Sequence, residues 1–256
     1  MHPVFFHFEP LNITIHTYGV MAAAGFFLAI MTASFFAEKE GIKKDFILDL
    51  STYIIISAII GARVFYLFVD PSYFFAHPIE IFKIWKGGLV FYGGFIFAAF
   101  TALIFIKLKG LPLGKISDIA APSLAIGHAV GRIGCFFAGC CYGRPTDLPI
   151  GIIFKDEHSL APLNACLHPT QLYSVISNFL IFIIMVIFFR LKKRDGDVFL
   201  LYLFLYGISR TIIEYFRGDN RGELFFGILS LSQFIGITAS SAALLIFIFQ
   251  RLKKIK

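Results

Sequence analysis

Seven long stretches of apolar residues, separated by short polar segments, dominate the pattern of the chain. A helix that crosses a bilayer needs about 20 mostly apolar residues, and seven stretches meet that criterion. They are predicted at Tyr18 to Ala37, Leu50 to Val69, Gly88 to Ile106, Ile116 to Phe137, Leu172 to Phe189, Val198 to Tyr215 and Phe225 to Phe249. We therefore predict an all-α integral membrane protein of about seven transmembrane helices. It forms a single polytopic domain over residues 1–256, with a head of residues 138–171 between the fourth and fifth spans.

Composition supports the same class. The chain is 58% hydrophobic and 15% charged, with 33 phenylalanines in 256 residues, which is more apolar surface than one soluble core can bury. The N-terminal residues lack a positively charged start and a small-residue cleavage site, so no cleavable signal peptide is expected.

The distribution of Lys and Arg predicts the orientation. Fourteen lie in the loops after the first, third and fifth spans and in the C-terminal tail, against six on the opposite side. By the positive-inside rule the N-terminus is outside and the C-terminus is cytoplasmic. The net charge of +7 is then mainly a topology signal, and no nucleic-acid partner is expected.

Three arginines lie within predicted spans: Arg63, Arg132 and Arg210. Each comes late in a helix that runs outwards, so we predict that all three lie at similar depth in the outer half of the membrane. An arginine at the centre of a span costs about 2.5–3.5 kcal/mol on insertion scales. Glu214 falls one turn after Arg210 and can offset only one of these charges, which leaves the others to an anion or to polar groups.

The fourth span has two distinct stripes. A glycine pattern of the GxxxG type favours tight packing on a neighbouring helix. It comprises Gly127, Gly131 and Gly134. His128, Arg132 and Cys135 share another stripe at spacings of three and four residues. On the sixth span Arg210, Glu214 and Arg217 fall on one face in the same way.

All four cysteines are expected on the outer side: Cys135, Cys140, Cys141 and Cys166. In an oxidising compartment they could form disulfides, with three complete pairings open. A metal site is the weakest interpretation, because the spacing C-x4-C-C lacks the CxxC pairs of structural zinc sites. Catalytic thiols rank between the two, and no metal or cofactor is predicted.

The motifs together resemble the bacterial prolipoprotein diacylglyceryl transferase family over almost the whole length. The matching segments are TYG at 17–19, GARVFY at 61–66, GGLVFYGG at 87–94, DIAAPSLAIGHAVGRIG at 118–134, GRPT at 143–146, HPTQLY at 168–173, SRTIIEYFR at 209–217 and SQ at 232–233. The resemblance implies transfer of a diacylglyceryl group from phosphatidylglycerol to the lipobox cysteine of a prolipoprotein, at the bacterial cytoplasmic membrane. The product is a thioether and the leaving group is glycerol phosphate. The implied partners are phosphatidylglycerol, the prolipoprotein signal peptide with its lipobox, and membrane lipids.

The resemblance also implies roles for individual residues. A phosphate leaving group needs fixed cations in a water-poor site, and Arg132 and Arg210 are the candidates, with Glu214 holding Arg210. Tyr18 matches the family's important tyrosine in the first helix. Substrate contacts are implied for Arg63, Gly93, Gly94, Cys135, Cys140, Gly143, His168, Gln171, Tyr173 and Arg217.

The chain departs from the family signature GRxGNFxNxExxG and from the common HGG motif. Cys135, Ala138 and Cys140 stand at its two Asn positions and its Glu position, Tyr92 replaces the histidine, and Ser174 follows QLY in place of Glu. A histidine has been proposed as the family's base. We hypothesise that His128 takes that role here, with Tyr92 as the other candidate.

Two other functions stay open at this point. One is a divergent relative that keeps the lipid and phosphate site but uses another acceptor, or thiol chemistry at its cysteines. The other is an anion channel or transporter lined by the three intramembrane arginines. It ranks last, because no matching polar residues extend an anion path towards the cytoplasm.

Overall fold

The computed structural model describes residues 2–9, 13–69, 71–83, 87–219 and 229–252. Within this part of the chain, seven helices are long and apolar enough to cross a membrane. They are α1 (Thr17–Lys39), α2 (Lys44–Leu67), α4 (Phe91–Leu108), α5 (Leu113–Ala138), α6 (Thr170–Leu191), α7 (Asp197–Tyr215) and α8 (Leu231–Leu252). The shorter elements are strands β1 (Val4–Phe8), β2 (Ile13–His16), β3 (Ile152–Ile153) and β4 (Cys166–Leu167), helix α3 (Pro71–Ala76) and a 3-10 helix, Pro78–Phe82.

The prediction of an all-α membrane protein with seven spans is confirmed. Most predicted boundaries lie within three residues of the helix ends, while α2 begins six residues before the predicted Leu50. The predicted start of the last span, Phe225, lies outside the described residues. In α5, 44% of the most apolar window is buried within the protein, against 17–28% in the other six spans. The fourth predicted span is therefore the most enclosed helix, which explains why it tolerates polar residues.

The chain divides into two compact units, Ser34–Ile116 and a unit made of Met1–Ala33 with Ser117–Lys256. In the Ser34–Ile116 unit, α2 and α4 pack through glycines. A Cβ on Gly61 would lie 2.6 Å from the carbonyl oxygen of Gly93, and one on Gly93 would lie 2.4 Å from that of Gly61. A side chain at either position would force the helices apart. The single-domain assignment stays a prediction.

In the larger unit, the predicted glycine stripe of α5 packs on α1. A Cβ on Gly127 would lie 3.1 Å from the carbonyl oxygen of Gly25, and one on Gly134 would lie 3.2 Å from that of Tyr18. Nothing lies within 4 Å of the same position on Gly131. The predicted tight packing is thus confirmed for Gly127 and Gly134. Gly131 takes part through its backbone, because a Cβ on Gly25 would lie 3.5 Å from the Gly131 nitrogen.

Asp118 joins α5 to the start of α7. Its buried carboxylate accepts hydrogen bonds from the backbone N–H groups of Gly196 (2.9 Å) and Phe199 (3.0 Å). Lys192 Nζ lies 3.2 Å away. The carboxylate satisfies N–H groups at the first turn of α7 that would otherwise lack partners. This polar residue of α5 therefore has a structural function.

Residues 139–169 connect α5 to α6 and correspond to the predicted head of residues 138–171. They are called here the head segment. Strands β3 and β4 pair antiparallel, with Ile152 opposite Leu167 and Ile153 opposite Cys166. Phe154, Ala161 and Leu167 form a small buried core, against which Tyr142, Ile152 and Ala165 pack. The head segment is thus an ordered substructure with its own apolar centre.

Candidate functional site

The predicted ion pair between Arg210 and Glu214 of α7 is present, and a serine hydroxyl contacts each of the two side chains. Arg210 Nη2 lies 2.6 Å from Glu214 Oε2 and donates to Ser232 Oγ at 3.1 Å. The Ser230 hydroxyl donates to Glu214 Oε1 at 3.1 Å. Glu214 is buried, so these contacts hold the carboxylate and the Arg210 guanidinium in one orientation.

His128 and Arg132 contact one another one turn apart on α5. Arg132 Nε donates to His128 Nε2 at 3.0 Å. The imidazole also packs against Tyr206 of α7, with ring centroids 5.4 Å apart. Both Arg132 and Arg210 act electrostatically on His128. Arg132 therefore contacts the histidine directly, whereas Arg210, on a different helix, acts on it through its charge.

Arg217 is buried just beyond the end of α7. It donates to both carboxylate oxygens of Asp219, with Nε to Oδ1 at 2.8 Å and Nη2 to Oδ2 at 2.6 Å. Its Nε also lies 3.8 Å from Glu214 Oε2. Burial opposes the charge of Arg217, but hydrogen bonds to Asp219 and Cys141 outweigh burial and raise its pKa. The guanidinium is held by protein groups, and its predicted contact with substrate stays a prediction.

Three of the four cysteines form a cluster beside Arg217. The Sγ atoms of Cys135, Cys140 and Cys141 all lie within 4.8 Å of one another. Cys135 is in the last turn of α5, and Cys141 adopts a left-handed backbone with φ of 62°, which is uncommon for a residue with a Cβ. All four cysteines are free thiols, so the disulfides considered for the head are absent from this structure.

The thiols of the cluster are not equivalent. Hydrogen bonds with the thiol groups of Cys135 and Cys140, together with the Arg217 guanidinium, hold the pKa of Cys141 below its usual range. Hydrogen bonds with Cys135 and Cys141, together with burial, raise the pKa of Cys140. The Cys141 thiol therefore interacts with the Arg217 guanidinium as well as with the other two thiols.

Several predicted residues support the loop that carries Cys140 and Cys141. Gln171 is completely buried, and its Nε2 donates to the carbonyl oxygen of Cys140 at 2.8 Å. A Cβ on Gly143 would lie 2.5 Å from the carbonyl oxygen of His168, and the His168 ring shares a hydrogen bond of 3.0 Å with the Tyr173 hydroxyl. The structure therefore brings these predicted residues together around the loop, while their contact with substrate stays a prediction.

Tyr18 lies at the start of α1 next to the same cluster. Its backbone packs on Gly134 of α5. Its hydroxyl lies within electrostatic range of Arg132 and of the three clustered cysteines. About half of the side chain is exposed. The predicted catalytic tyrosine of the first span is thus placed beside the cysteines, with its role still a prediction.

The remaining predicted residues belong to the Ser34–Ile116 unit. Arg63 is buried and donates to four backbone carbonyls. They are those of Ile81 (2.8 Å), Gly87 (2.9 Å), Gly88 (3.1 Å) and Glu80. Gly93 packs on α2 as described above, and a Cβ on Gly94 would lie 3.0 Å from the carbonyl oxygen of Ala58. These contacts favour structural roles for Arg63, Gly93 and Gly94. The side chain of Tyr92 is half exposed. The site roles of these three residues and of Tyr92 stay predictions.

Three residues outside the predicted site complete the charged network: Asp219, Ser230 and Ser232. Only Ser232 belongs to a segment that matched the family, the SQ at 232–233. Ser230 begins α8 with a capping box, because Gln233 N donates to Ser230 Oγ at 3.2 Å and Ser230 N donates to Gln233 Oε1 at 3.0 Å. The pattern Ser-x-x-Gln before an apolar run signals such a cap. It could have located the start of α8, but its contact with Glu214 depends on the tertiary structure.

The whole chain is similar to proteins of one known family. Residues 3–249 match the family model described as prolipoprotein diacylglyceryl transferase. The chain is 38% identical over 254 residues to the phosphatidylglycerol–prolipoprotein diacylglyceryl transferase of Clostridium tetani strain Massachusetts / E88, covering 99% of this chain and 100% of that protein. It is 36% identical over 264 residues to the enzyme of the same name from Bacillus velezensis, covering 99% and 93%. The chain, a multi-pass membrane protein, therefore belongs to the prolipoprotein diacylglyceryl transferase family.

Proposed function

We propose that this protein transfers the diacylglyceryl group of phosphatidylglycerol to the lipobox cysteine of a prolipoprotein. The sulfur of the acceptor forms a thioether with the glycerol carbon, and glycerol phosphate leaves. Two relatives that carry this activity in their names cover nearly the whole chain. The observation that carries the proposal is the pair of preoriented cations, Arg132 held by His128 and Arg210 held by Glu214.

The two arginines would stabilise the leaving phosphate. A phosphate ester gains negative charge on its oxygen as the carbon–oxygen bond breaks, and preoriented cations stabilise this charge best where water is excluded. Glu214 and Ser232 fix the direction of the Arg210 guanidinium. His128 fixes that of Arg132. Because these contacts orient both cations before substrate binds, little reorganisation is needed during the reaction.

The role of His128 follows from its contact with Arg132. Arg132 Nε donates to Nε2, and this occupies the lone pair that a base would use to accept a proton. We therefore favour His128 as a residue that positions Arg132. Its action as the base remains the hypothesis to test.

We further propose that the protein lies in the bacterial cytoplasmic membrane with its N-terminus outside and its C-terminus in the cytoplasm. The excess of Lys and Arg after the first, third and fifth spans supports this orientation. The head segment and the cysteine cluster would then face the outer side. Diacylglyceryl transfer would take place there, at the level of the outer leaflet.

The test is transfer from phosphatidylglycerol to a lipobox peptide by the purified protein in detergent. Loss of one preoriented donor to a developing oxyanion typically costs about 10²–10³-fold in rate, and we expect losses of that size for Arg132→Lys and Arg210→Lys. Arg190→Lys, at the exposed end of α6, is the matched control and should retain full activity. An acceptor peptide with Ser in place of Cys should give no product.

The result also decides between the proposal and the divergent-relative alternative. Product formation by the wild type that depends on both arginines and on the acceptor thiol supports the transferase. A folded wild-type protein that binds phosphatidylglycerol but forms no thioether would contradict it. The alternative of another acceptor on the same lipid site would then be favoured.

A further inference from the structure

We propose that Cys135, Cys140 and Cys141 form a three-thiolate Zn²⁺ site whose fourth position receives the acceptor cysteine. The zinc site itself stands on the geometry of the three cysteines. The identity of the fourth ligand rests on the proposed transferase function. In the family signature these positions are Asn, Glu and a residue that the signature leaves free, so the site would be particular to chains with this cysteine pattern.

The three sulfur atoms have a separation suited to zinc. A Zn–S bond of about 2.3 Å and tetrahedral angles place sulfur ligands about 3.8 Å apart. The Sγ atoms lie within 4.8 Å of one another, so side-chain movements of about 1 Å or less would close the site. The spacing C-x4-C-C did not predict this, because the left-handed backbone at Cys141 is what allows two adjacent residues to direct their thiols to one point.

The loop that carries the thiols is held rigidly. Thr170 Oγ1 donates to the carbonyl oxygen of Cys141 at 2.7 Å, and Gln171 Nε2 donates to that of Cys140 at 2.8 Å. Both donors are almost completely buried at the start of α6. A metal site gains affinity when supporting contacts hold its ligands in place before the metal binds.

The charge around the cluster also suits zinc. Three thiolates and one Zn²⁺ carry a net charge of −1. The buried Arg217 guanidinium bonds to Cys141, and Arg132 acts electrostatically on Cys135. Thiolates are soft ligands that select zinc or monovalent copper over magnesium and calcium. Diacylglyceryl transfer involves no redox step, which favours zinc.

Three protein ligands and one open position are the arrangement of catalytic zinc sites. The acceptor thiol would displace zinc-bound water and release its proton to solvent, because a coordinated thiol is deprotonated. The thiolate sulfur would then attack the glycerol carbon, forming the C–S bond as the C–O bond breaks. The electron pair leaves on the phosphate oxygen, near Arg132 and Arg210. The acceptor thiolate thus forms without a protein base, in a chain where Tyr92 replaces the family's histidine.

The first test is zinc content. Full-length protein would be purified in detergent with reductant and without chelator, and zinc would be measured by mass spectrometry. We expect about one zinc per chain in the wild type and in Cys166→Ser, since Cys166 lies outside the cluster. The triple variant C135S/C140S/C141S should lose it. Co²⁺ added to zinc-depleted wild type should produce a thiolate-to-cobalt charge-transfer band, which keeps the test valid should the triple variant fail to fold.

Two results would overturn the site. One is fully reduced wild type, with four titratable thiols, that contains no zinc and binds neither Zn²⁺ nor Co²⁺. The other is a disulfide among the three cysteines, found by peptide mapping of protein trapped with alkylating agent in cells.

Transfer activity tests the fourth ligand separately. Zinc-depleted protein should transfer about 100-fold more slowly and recover with added Zn²⁺. Equal rates with and without zinc would overturn the acceptor role. Stoichiometric zinc without transfer in any state would overturn the proposed function, while the zinc site itself would be supported.

Discussion

The buried carboxylate of Glu214 offers a test of the charged network. In the Glu214→Gln variant the side chain keeps its shape and can still accept from Ser230, but it loses the charge that faces two guanidinium groups. Those are Arg210 Nη2 at 2.6 Å and Arg217 Nε at 3.8 Å. With an effective dielectric constant of about 20, the two attractions amount to about 6 and 4 kcal/mol.

The net loss will be smaller, because folding also removes the carboxylate from water. Breaking one partner of a buried ion pair typically costs about 3–5 kcal/mol, and we expect the free energy of unfolding of Glu214→Gln to fall by that amount. At about 2–4 °C per kcal/mol for a chain of this size, the unfolding midpoint should fall by roughly 10 °C. Circular dichroism of the purified protein in detergent would measure this shift.

A double-mutant cycle separates the ion pair from other effects of the substitution. Combining Glu214→Gln with Arg210→Gln should cost less than the sum of the single changes, by about 1 kcal/mol or more. Glu38→Gln is the matched control, because Glu38 forms an exposed pair with Lys44 at 3.0 Å, and its effect should stay within about 0.5 kcal/mol. Additive effects, or a loss for Glu214→Gln as small as that of the control, would refute the reasoning.

Three further predictions follow from single contacts. His128→Gln keeps an acceptor for Arg132 and should retain much more transfer activity than His128→Ala, whereas equal loss in both variants would favour a base. Gly143→Ala places a Cβ within 2.5 Å of backbone and should sharply reduce the yield of folded protein. Gly131→Ala is the control and should not reduce the yield, because nothing lies within 4 Å of the added Cβ. Equal yields of the two variants would contradict the close packing at Gly143. Arg63→Lys keeps the charge but loses hydrogen bonds to backbone carbonyls, so it should lower the unfolding midpoint yet leave the Michaelis constant for phosphatidylglycerol unchanged. A raised Michaelis constant would instead support a substrate contact.

The elements missed by the sequence analysis are short. The β1–β2 hairpin pairs residues Val4–Phe8 with Ile13–His16 and was not predicted, because strands of four and five residues carry little periodic signal. The head segment was recognised only by its prolines and the absence of an apolar span. Its fold depends on a small core and on backbone contacts with α6 and α7, which no local pattern reveals.

The sequence by itself determined the seven helices and the pairing of Arg210 with Glu214. Hydrophobic length and the spacing of three or four residues are local properties of a helix, so they can be derived from residue order alone. The tertiary structure alone decided that Arg63 binds backbone carbonyls, that Ser230 supports Glu214, and that three thiols meet beside Arg217. These contacts join segments distant in the chain, or depend on one left-handed residue, and their geometry arises only when the helices pack.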